Sequence, residues 1–153
     1  MGNSSDAPQM LLGEHDHSLD DKNRLAIPAK FRQAFSDGIV VTRGLDGCLY
    51  AYTRSGWQEL VEGRLAELDM LSEAGRLIMR HFFSGAVEAE LDKQGRVGLP
   101  PALIASAKLG KEVTVAGVYD HLEIWDRQTW WDQLTKVEGS AEDVAERLAS
   151  KRD

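Results

Sequence analysis

Apolar and polar residues alternate along the chain in a way that predicts short strands and helices in a recurring order. Residues 25–27 (Leu-Ala-Ile) and 97–99 (Val-Gly-Leu) each place two apolar side chains on one face, which is typical of a half-buried strand. Pro28 and Pro100 follow, and proline favours a helix start because its missing N–H would be unpaired there. The other predicted strands are 39–42, 48–52, 112–115 and 121–125, and the predicted helices are 28–35, 57–68, 71–83, 101–108, 129–137 and 141–151.

The recurring order reflects an internal repeat. Residues 19–28 (LDDKNRLAIP) align with residues 91–100 (LDKQGRVGLP) at an offset of 72 residues, with Leu, Asp, Arg and Pro identical. After one inserted residue the alignment continues at an offset of 73, where Leu49 pairs with Leu122 and Trp57 with Trp130. We therefore expect the chain to contain two copies of one module.

Each module is too small to bury a hydrophobic core alone. Two copies can pair about a pseudo-twofold axis and interleave their strands in one compact barrel, which predicts a β-rich α+β fold. The expected organisation is a disordered N-terminal tail (1–13), a first repeat (14–57), a helical connection (58–85), a second repeat (86–130) and a C-terminal helical tail (131–153).

The composition narrows the class of protein. Hydrophobic residues make up 42% of the 153 residues, which is too many for a disordered chain. No apolar run approaches the roughly 20 residues of a membrane-spanning helix, and residues 1–6 (MGNSSD) do not resemble a signal peptide. The single cysteine, Cys48, excludes an intramolecular disulfide and a cysteine-based zinc site. We expect a cytoplasmic protein.

The charge is distributed unevenly. A formal net charge of −7 argues against a generic nucleic-acid-binding protein, whose surface is usually basic. Two windows, 22–32 and 93–111, nevertheless contain four basic residues each and no acidic residue. Each window begins inside one copy of the repeated Asp-x-x-x-Arg segment (20–24 and 92–96), so the basic charge is concentrated where the repeat is best preserved.

Arg24 and Arg96 in these segments are the strongest candidates for a binding site. Arginine presents a planar fork that can bind phosphate or the edge of guanine through two hydrogen bonds. Asp20 and Asp92 lie four residues earlier and can pair with the arginines and orient them. Two interpretations remain open: an internal ion pair that only stabilises a tight turn, or an anion-binding face. The nearby basic residues favour the second; they are Lys22, Lys30, Arg32 and Lys93.

Enzymatic and metal-binding interpretations are weaker. Asp20 and Asp92 lack the small Thr/Ser-Gly context of an aspartic-protease dyad. His15 and His17 are more typical of a solvated strand face than of a metal site, and Cys48 has no basic neighbour to activate it. We expect no catalytic residue, no metal and no cofactor.

Aromatic and arginine residues outside the turns have two interpretations each. Trp125, Trp130 and Trp131 can stack on bases, but their place in the repeat favours packing. Arg76 and Arg80, four residues apart, can contact nucleic acid or a neighbouring subunit, or pair with acidic residues along their helix.

The doubled segment, together with residues 76–86 (RLIMRHFFSGA) and 122–125 (LEIW), resembles the MraZ family of bacterial transcriptional regulators. The resemblance covers roughly residues 10–134. It implies two AbrB-like swapped-hairpin modules in a small double-split β-barrel flanked by helices, and a ring-shaped homo-oligomer. It also implies binding to short direct repeats in the promoter of the division and cell-wall gene cluster, which includes the regulator's own gene.

In this family the arginines of the two turns contact DNA, and Arg24 and Arg96 match them. The first copy departs from the family by carrying Asn23 where glycine is usual, and the basic residue of the second turn is shifted by one position. We expect a sequence-specific, nucleoid-associated regulator that binds double-stranded DNA and its own copies, with no membrane partner and no small-molecule substrate. The alternative is an antitoxin-like or scaffold module whose basic turns bind an acidic protein.

Overall fold

The computed structural model describes residues 10–152, which form a mixed α+β fold rich in β-structure. Most of the predicted N-terminal tail (1–13) lies outside the described residues. The strands are β1 (Leu11–Ser18), β2 (Arg24–Ala26), β3 (Ile39–Arg43), β4 (Leu49–Tyr52), β5 (Val87–Ala89), β6 (Arg96–Gly98), β7 (Glu112–Tyr119) and β8 (Leu122–Asp126). The α-helices are α1 (Arg54–Gly63), α2 (Glu73–Gly85), α3 (Pro101–Ser106) and α4 (Arg127–Arg152).

The strands of the two copies are interleaved. An antiparallel six-stranded sheet has the order β1-β7-β8-β4-β3-β5, and a second sheet pairs β2 with β6. In the repeat, β1 is equivalent to β5, β3 to β7 and β4 to β8. Replacing each strand of the six-stranded sheet by its equivalent gives the same order read from the opposite edge. A pseudo-twofold axis therefore passes between β4 and β8. The predicted interleaving of the copies is confirmed, because each sheet is completed by strands from both.

The hydrophobic core lies between the two sheets and the short helical segments that follow β2 and β6. Leu25, Ile27, Val97 and Leu99, the apolar positions that defined the predicted strands, are buried. Phe31 packs with them and is 2% exposed. The six-stranded sheet contributes further buried residues from both copies, including Ile39, Val41, Leu49, Val113, Val115, Leu122 and Ile124.

Several predicted boundaries were wrong. The predicted N-terminal tail ends too late, because β1 begins at Leu11 and that side chain is buried. The predicted helix 28–35 is a short 3-10 segment, Ala29–Phe31, followed by turns whose hydrogen bonds join residues three apart. Helix α1 begins at Arg54, earlier than predicted, because the Thr53 hydroxyl accepts a hydrogen bond from the Gly56 N–H and caps it. A second 3-10 segment, Leu65–Glu67, occupies the end of the predicted helix 57–68.

The C-terminal helices predicted at 129–137 and 141–151 are one continuous helix, α4. The helix continues through Gly139 and Ser140, although both are weaker helix formers than alanine. The helix leaves the body of the protein, and all its residues from 135 to 151 are exposed. Within residues 10–152, no helix is both long and apolar enough to cross a membrane.

Candidate nucleic-acid interface

The first turn, residues 20–24, is closed by the carboxylate of Asp20. Its Oδ1 accepts hydrogen bonds from the backbone N–H groups of Lys22 and Arg24, each at 2.9 Å. Its Oδ2 accepts a hydrogen bond from Nε of Arg24 at 2.7 Å. Asn23 takes a left-handed backbone conformation with φ of 59°, which asparagine tolerates, so the turn closes without glycine.

The second turn, residues 92–96, has the same geometry. Oδ1 of Asp92 accepts from the N–H groups of Gln94 and Arg96 at 2.9 Å each, and Oδ2 accepts from Nε of Arg96 at 2.8 Å. Gly95 provides the left-handed position with φ of 76°. In both turns the carboxylate therefore holds its arginine through Nε, and the terminal nitrogens of the guanidinium make no hydrogen bond to the aspartate of the same turn.

The pairing of β2 with β6 brings the two turns together. Leu25 lies opposite Val97 at the centre of this pair, so the arginines that begin each strand are related by the pseudo-twofold axis. Nη1 of Arg96 lies 3.6 Å from Oδ2 of Asp20, which links one turn directly to the other. About a third of each arginine side chain is accessible, at 33% for Arg24 and 27% for Arg96.

Both aspartates are ionised at neutral pH. The backbone N–H of Arg24 stabilises the charged form of Asp20 and, with the Arg24 side chain and the Lys22 N–H, lowers its pKa to about 2. The backbone N–H and then the side chain of Arg96 lower the pKa of Asp92 in the same way. Each turn consequently contains a fixed carboxylate–guanidinium pair.

The other predicted basic residues fall in different places. Lys22 and Lys93 lie within the turns and are exposed. Arg32 lies over Gly95 of the second turn, and its Nε donates a hydrogen bond to the Ile27 carbonyl of its own copy at 2.8 Å. Lys30 instead lies over the Phe31 ring, with Nζ 5.4 Å from the ring centroid. The structure therefore joins Arg32 to the turns and places Lys30 beside a core aromatic residue.

Three of the weaker candidates, His15, Cys48 and Trp125, pack against other residues of the fold. Within the described residues 10–152, no group of three or more His, Cys, Asp or Glu residues is arranged to hold a metal ion. The His15 ring packs edge-on against Phe31 with centroids 5.4 Å apart. Cys48 is buried, and burial raises the pKa of its thiol, which makes it unreactive. Trp125 is buried and donates its indole N–H to Glu123, so packing is the correct interpretation for this residue.

Sequence reasoning missed a groove of about 410 Å³ beside the first turn. Asn23 and Asp21 line it on one side, and Ile104 and Lys111 of the second copy line it on the other. The groove forms between copies, so no local pattern marks it. One sequence feature could have indicated that the surroundings of the two turns differ. Ile104 aligns with Arg32, so one copy has a long cation where the other has an aliphatic side chain.

These features define a protein of two interleaved repeats that present paired Asp-x-x-x-Arg turns on a single surface. A family model described as "MraZ protein, putative antitoxin-like" matches the chain twice, over residues 10–80 and 82–152. The chain belongs to the MraZ family. The two matches correspond to the two copies, and the family is a regulatory or antitoxin-like one that is not known for enzymes.

Proposed function

We propose that this protein is a sequence-specific DNA-binding transcriptional regulator of the MraZ type. It binds short direct repeats in the promoter of the division and cell-wall gene cluster, including its own gene, as a ring-shaped oligomer, and is nucleoid-associated. The observation that carries the proposal is the pair of carboxylate-held arginines, Arg24 and Arg96, beside each other on one accessible surface.

The arginines are suited to reading DNA because they are held in place before binding. Each loses little conformational freedom on contact, since Nε is already fixed by Asp20 or Asp92. The terminal nitrogens bind phosphate or the O6 and N7 atoms of guanine in the major groove. Four further cations of the two basic windows hold the phosphate backbone; they are Lys22, Lys30, Arg32 and Lys93. The aspartates orient the arginines and do not touch DNA.

Self-association compensates for the small number of cations on one subunit. Linked sites that engage successive repeats gain on the order of 10²–10⁴ in affinity. Two exposed apolar patches support assembly: a strand patch, Leu12 and Val118, which face each other across β1 and β7, and a linker patch, Met70, Leu71 and Leu77. Contact between two different patches is head-to-tail, and such contacts can close into rings. We further propose that the two sheets close as a double-split barrel.

Binding is tested by fluorescence anisotropy with the DNA upstream of the gene and a scrambled duplex as control. Arg24→Ala and Arg96→Ala each abolish preference for the promoter while light scattering shows an unchanged oligomer. Arg64→Ala is the matched control, because it removes an equal charge from an exposed position at the end of α1. Promoter binding retained by both turn variants contradicts the proposal.

Assembly is tested separately on the apolar patches. Leu71→Glu places a charge on a side chain that is 86% exposed, so it disrupts the oligomer without disturbing the fold of the subunit. Leu45→Glu is the control, since Leu45 is also exposed but belongs to neither patch. If light scattering gives the same mass for the wild type, Leu71→Glu and Leu45→Glu, the linker patch is not part of the assembly surface.

A protein-interaction module of the antitoxin type is the second candidate. It is favoured by the description of the family as antitoxin-like. In that case the basic turns bind an acidic protein. Capture from lysate after nuclease treatment distinguishes the two functions, because a stoichiometric protein partner survives nuclease and a DNA-mediated one does not.

A further inference from the structure

The two turns have the same backbone but different surroundings. The segment after β2 contains Lys30 and Arg32, whereas the equivalent positions after β6 are Ala102 and Ile104. Because the copies are interleaved, the segment that follows β2 lies beside the turn of the second copy. The Ile27 N–H donates a hydrogen bond to the Gly95 carbonyl at 2.9 Å. The cationic segment of the first copy therefore lies beside the second turn.

Arg32 is built into the second turn. Its guanidinium lies over Gly95 so closely that a Cβ at this position would overlap it. With Nε bonded to the Ile27 carbonyl, Arg32 has a fixed place beside Gly95, the residue before Arg96. At the first turn the equivalent neighbour of Asn23 is Ile104, and the space is the open groove.

The turns also differ in the charge of their own residues. Lys93 in the second turn aligns with Asp21 in the first. The second turn has three cations (Arg32, Lys93 and Arg96) and one carboxylate of its own, Asp92, and Arg96 also lies 3.6 Å from Asp20 of the first turn. Around the first, three cations (Lys22, Arg24 and Lys111) face two carboxylates, Asp20 and Asp21, and Lys111 shares the groove wall with both of these.

We infer that the second turn, completed by Arg32 from the first copy, makes most of the phosphate contacts, so that each subunit binds its DNA site in one orientation. The inference rests on the proposed DNA binding. A module with two equivalent turns would bind equally in either direction and suit a palindromic site. With unequal turns, one end of the DNA-binding surface binds phosphate more strongly than the other. Successive subunits then bind sites that have the same orientation along the DNA.

The salt dependence of binding separates the two ends. Each phosphate contact contributes about 0.9 to the slope of log K against log salt concentration. Arg32→Gln with Lys93→Gln removes two positive charges at the second turn and lowers the slope by about 1.8. Lys22→Gln with Lys111→Gln removes two at the first turn and lowers it by less than about 0.9, because Asp20 and Asp21 already offset these lysines. The two variants have the same net charge.

A transplant supplies the converse test. Asp21→Lys, Asn23→Gly and Ile104→Arg together give the first turn the residues of the second, and Asn23→Gly makes the room that the new arginine needs. In each case the other copy already accepts the new residue at the equivalent position (Lys93, Gly95 and Arg32), so the variant is expected to fold, which thermal unfolding checks. Its salt slope rises by about 2.

The outcomes distinguish this inference from the function on which it rests. Equal losses of slope in the two double variants, or an unchanged slope in the transplant, overturn the inequality of the turns and leave DNA binding intact. Wild-type protein that binds no promoter DNA at low salt overturns both. A larger loss in the Lys22/Lys111 variant assigns the strong end to the first turn and refutes the inference directly.

Discussion

Placing a side chain at Gly95 is the sharpest test of the contact between the copies. Asparagine is the informative substitution, because Asn23 already takes the same left-handed conformation at the equivalent position. Gly95→Asn therefore adds less backbone strain than the roughly 1–2 kcal/mol that most other side chains incur in this conformation. Its larger effect is to displace Arg32, whose guanidinium occupies the space of the new Cβ.

The expected loss follows from the bond that Arg32 makes. A hydrogen bond that involves a charged group contributes about 1.5–3 kcal/mol when buried, and about 1 kcal/mol is appropriate here because Arg32 is exposed. With the backbone strain, Gly95→Asn lowers the free energy of unfolding by about 1.5 kcal/mol. For a protein of this length that corresponds to a decrease in Tm of about 3–6 °C.

A double-mutant cycle isolates this contact. Arg32→Ala alone loses the hydrogen bond to Ile27, and adding Gly95→Asn to it then has little further cost, since no guanidinium remains to be displaced. Urea unfolding at fixed protein concentration measures all four proteins. The reasoning is refuted if Gly95→Asn is as stable as wild type, or if it costs the same with and without Arg32.

Three further predictions concern pH and the core. Because the pKa of Asp20 is lowered to about 2 in the folded state, its contribution to stability is complete above about pH 4 and is lost as the pH falls toward 2. Asp20→Asn should therefore reduce the decrease in the free energy of unfolding between pH 4 and pH 2, measured by urea unfolding at each pH. Burial opposes protonation of His121, but hydrogen bonds to Glu123 and Asp120 raise its pKa above the usual value. Its contribution is present below about pH 6.5 and is lost as the pH rises through the raised pKa, so NMR titration of the ring should show a pKa above 6.5, and His121→Gln should remove the dependence. Phe31→Ala, at a side chain that is 2% exposed, should cost about 3–5 kcal/mol in chemical unfolding; a cost below 1 kcal/mol would contradict the described core.

The repeat made most of the architecture predictable from sequence. Matching Leu25 with Val97 implied that the two strands are equivalent, and a module too small for its own core implied that they pair. Strand β1 (LLGEHDHS) was harder, since only Leu11 is fully buried along it and its polar residues give no clear alternation. The turns were predictable because Asp, Arg and a left-handed residue occur at fixed spacing.

What sequence could not supply are the contacts between copies. Arg32 stands 63 residues before Gly95 and aligns with Ile104, so neither local propensity nor the repeat indicates that it completes the second turn. Likewise, Lys30 and Arg32 belong to one basic window, yet only Arg32 reaches the turns. Such differences depend on which segments the interleaved sheets bring together.

The interleaving of strands also bears on how the chain reaches its fold during synthesis. Among residues 10–152, strand β1 pairs only with β7, and Ser18 pairs with Glu112, 94 residues later. The first copy therefore leaves the ribosome with its core residues uncovered and must wait for nearly the whole chain before its sheets can close. Contacts of such large sequence separation fold slowly. We expect the nascent first copy to depend on chaperones, and a chain interrupted after α2 to yield fragments that fold only when both are present.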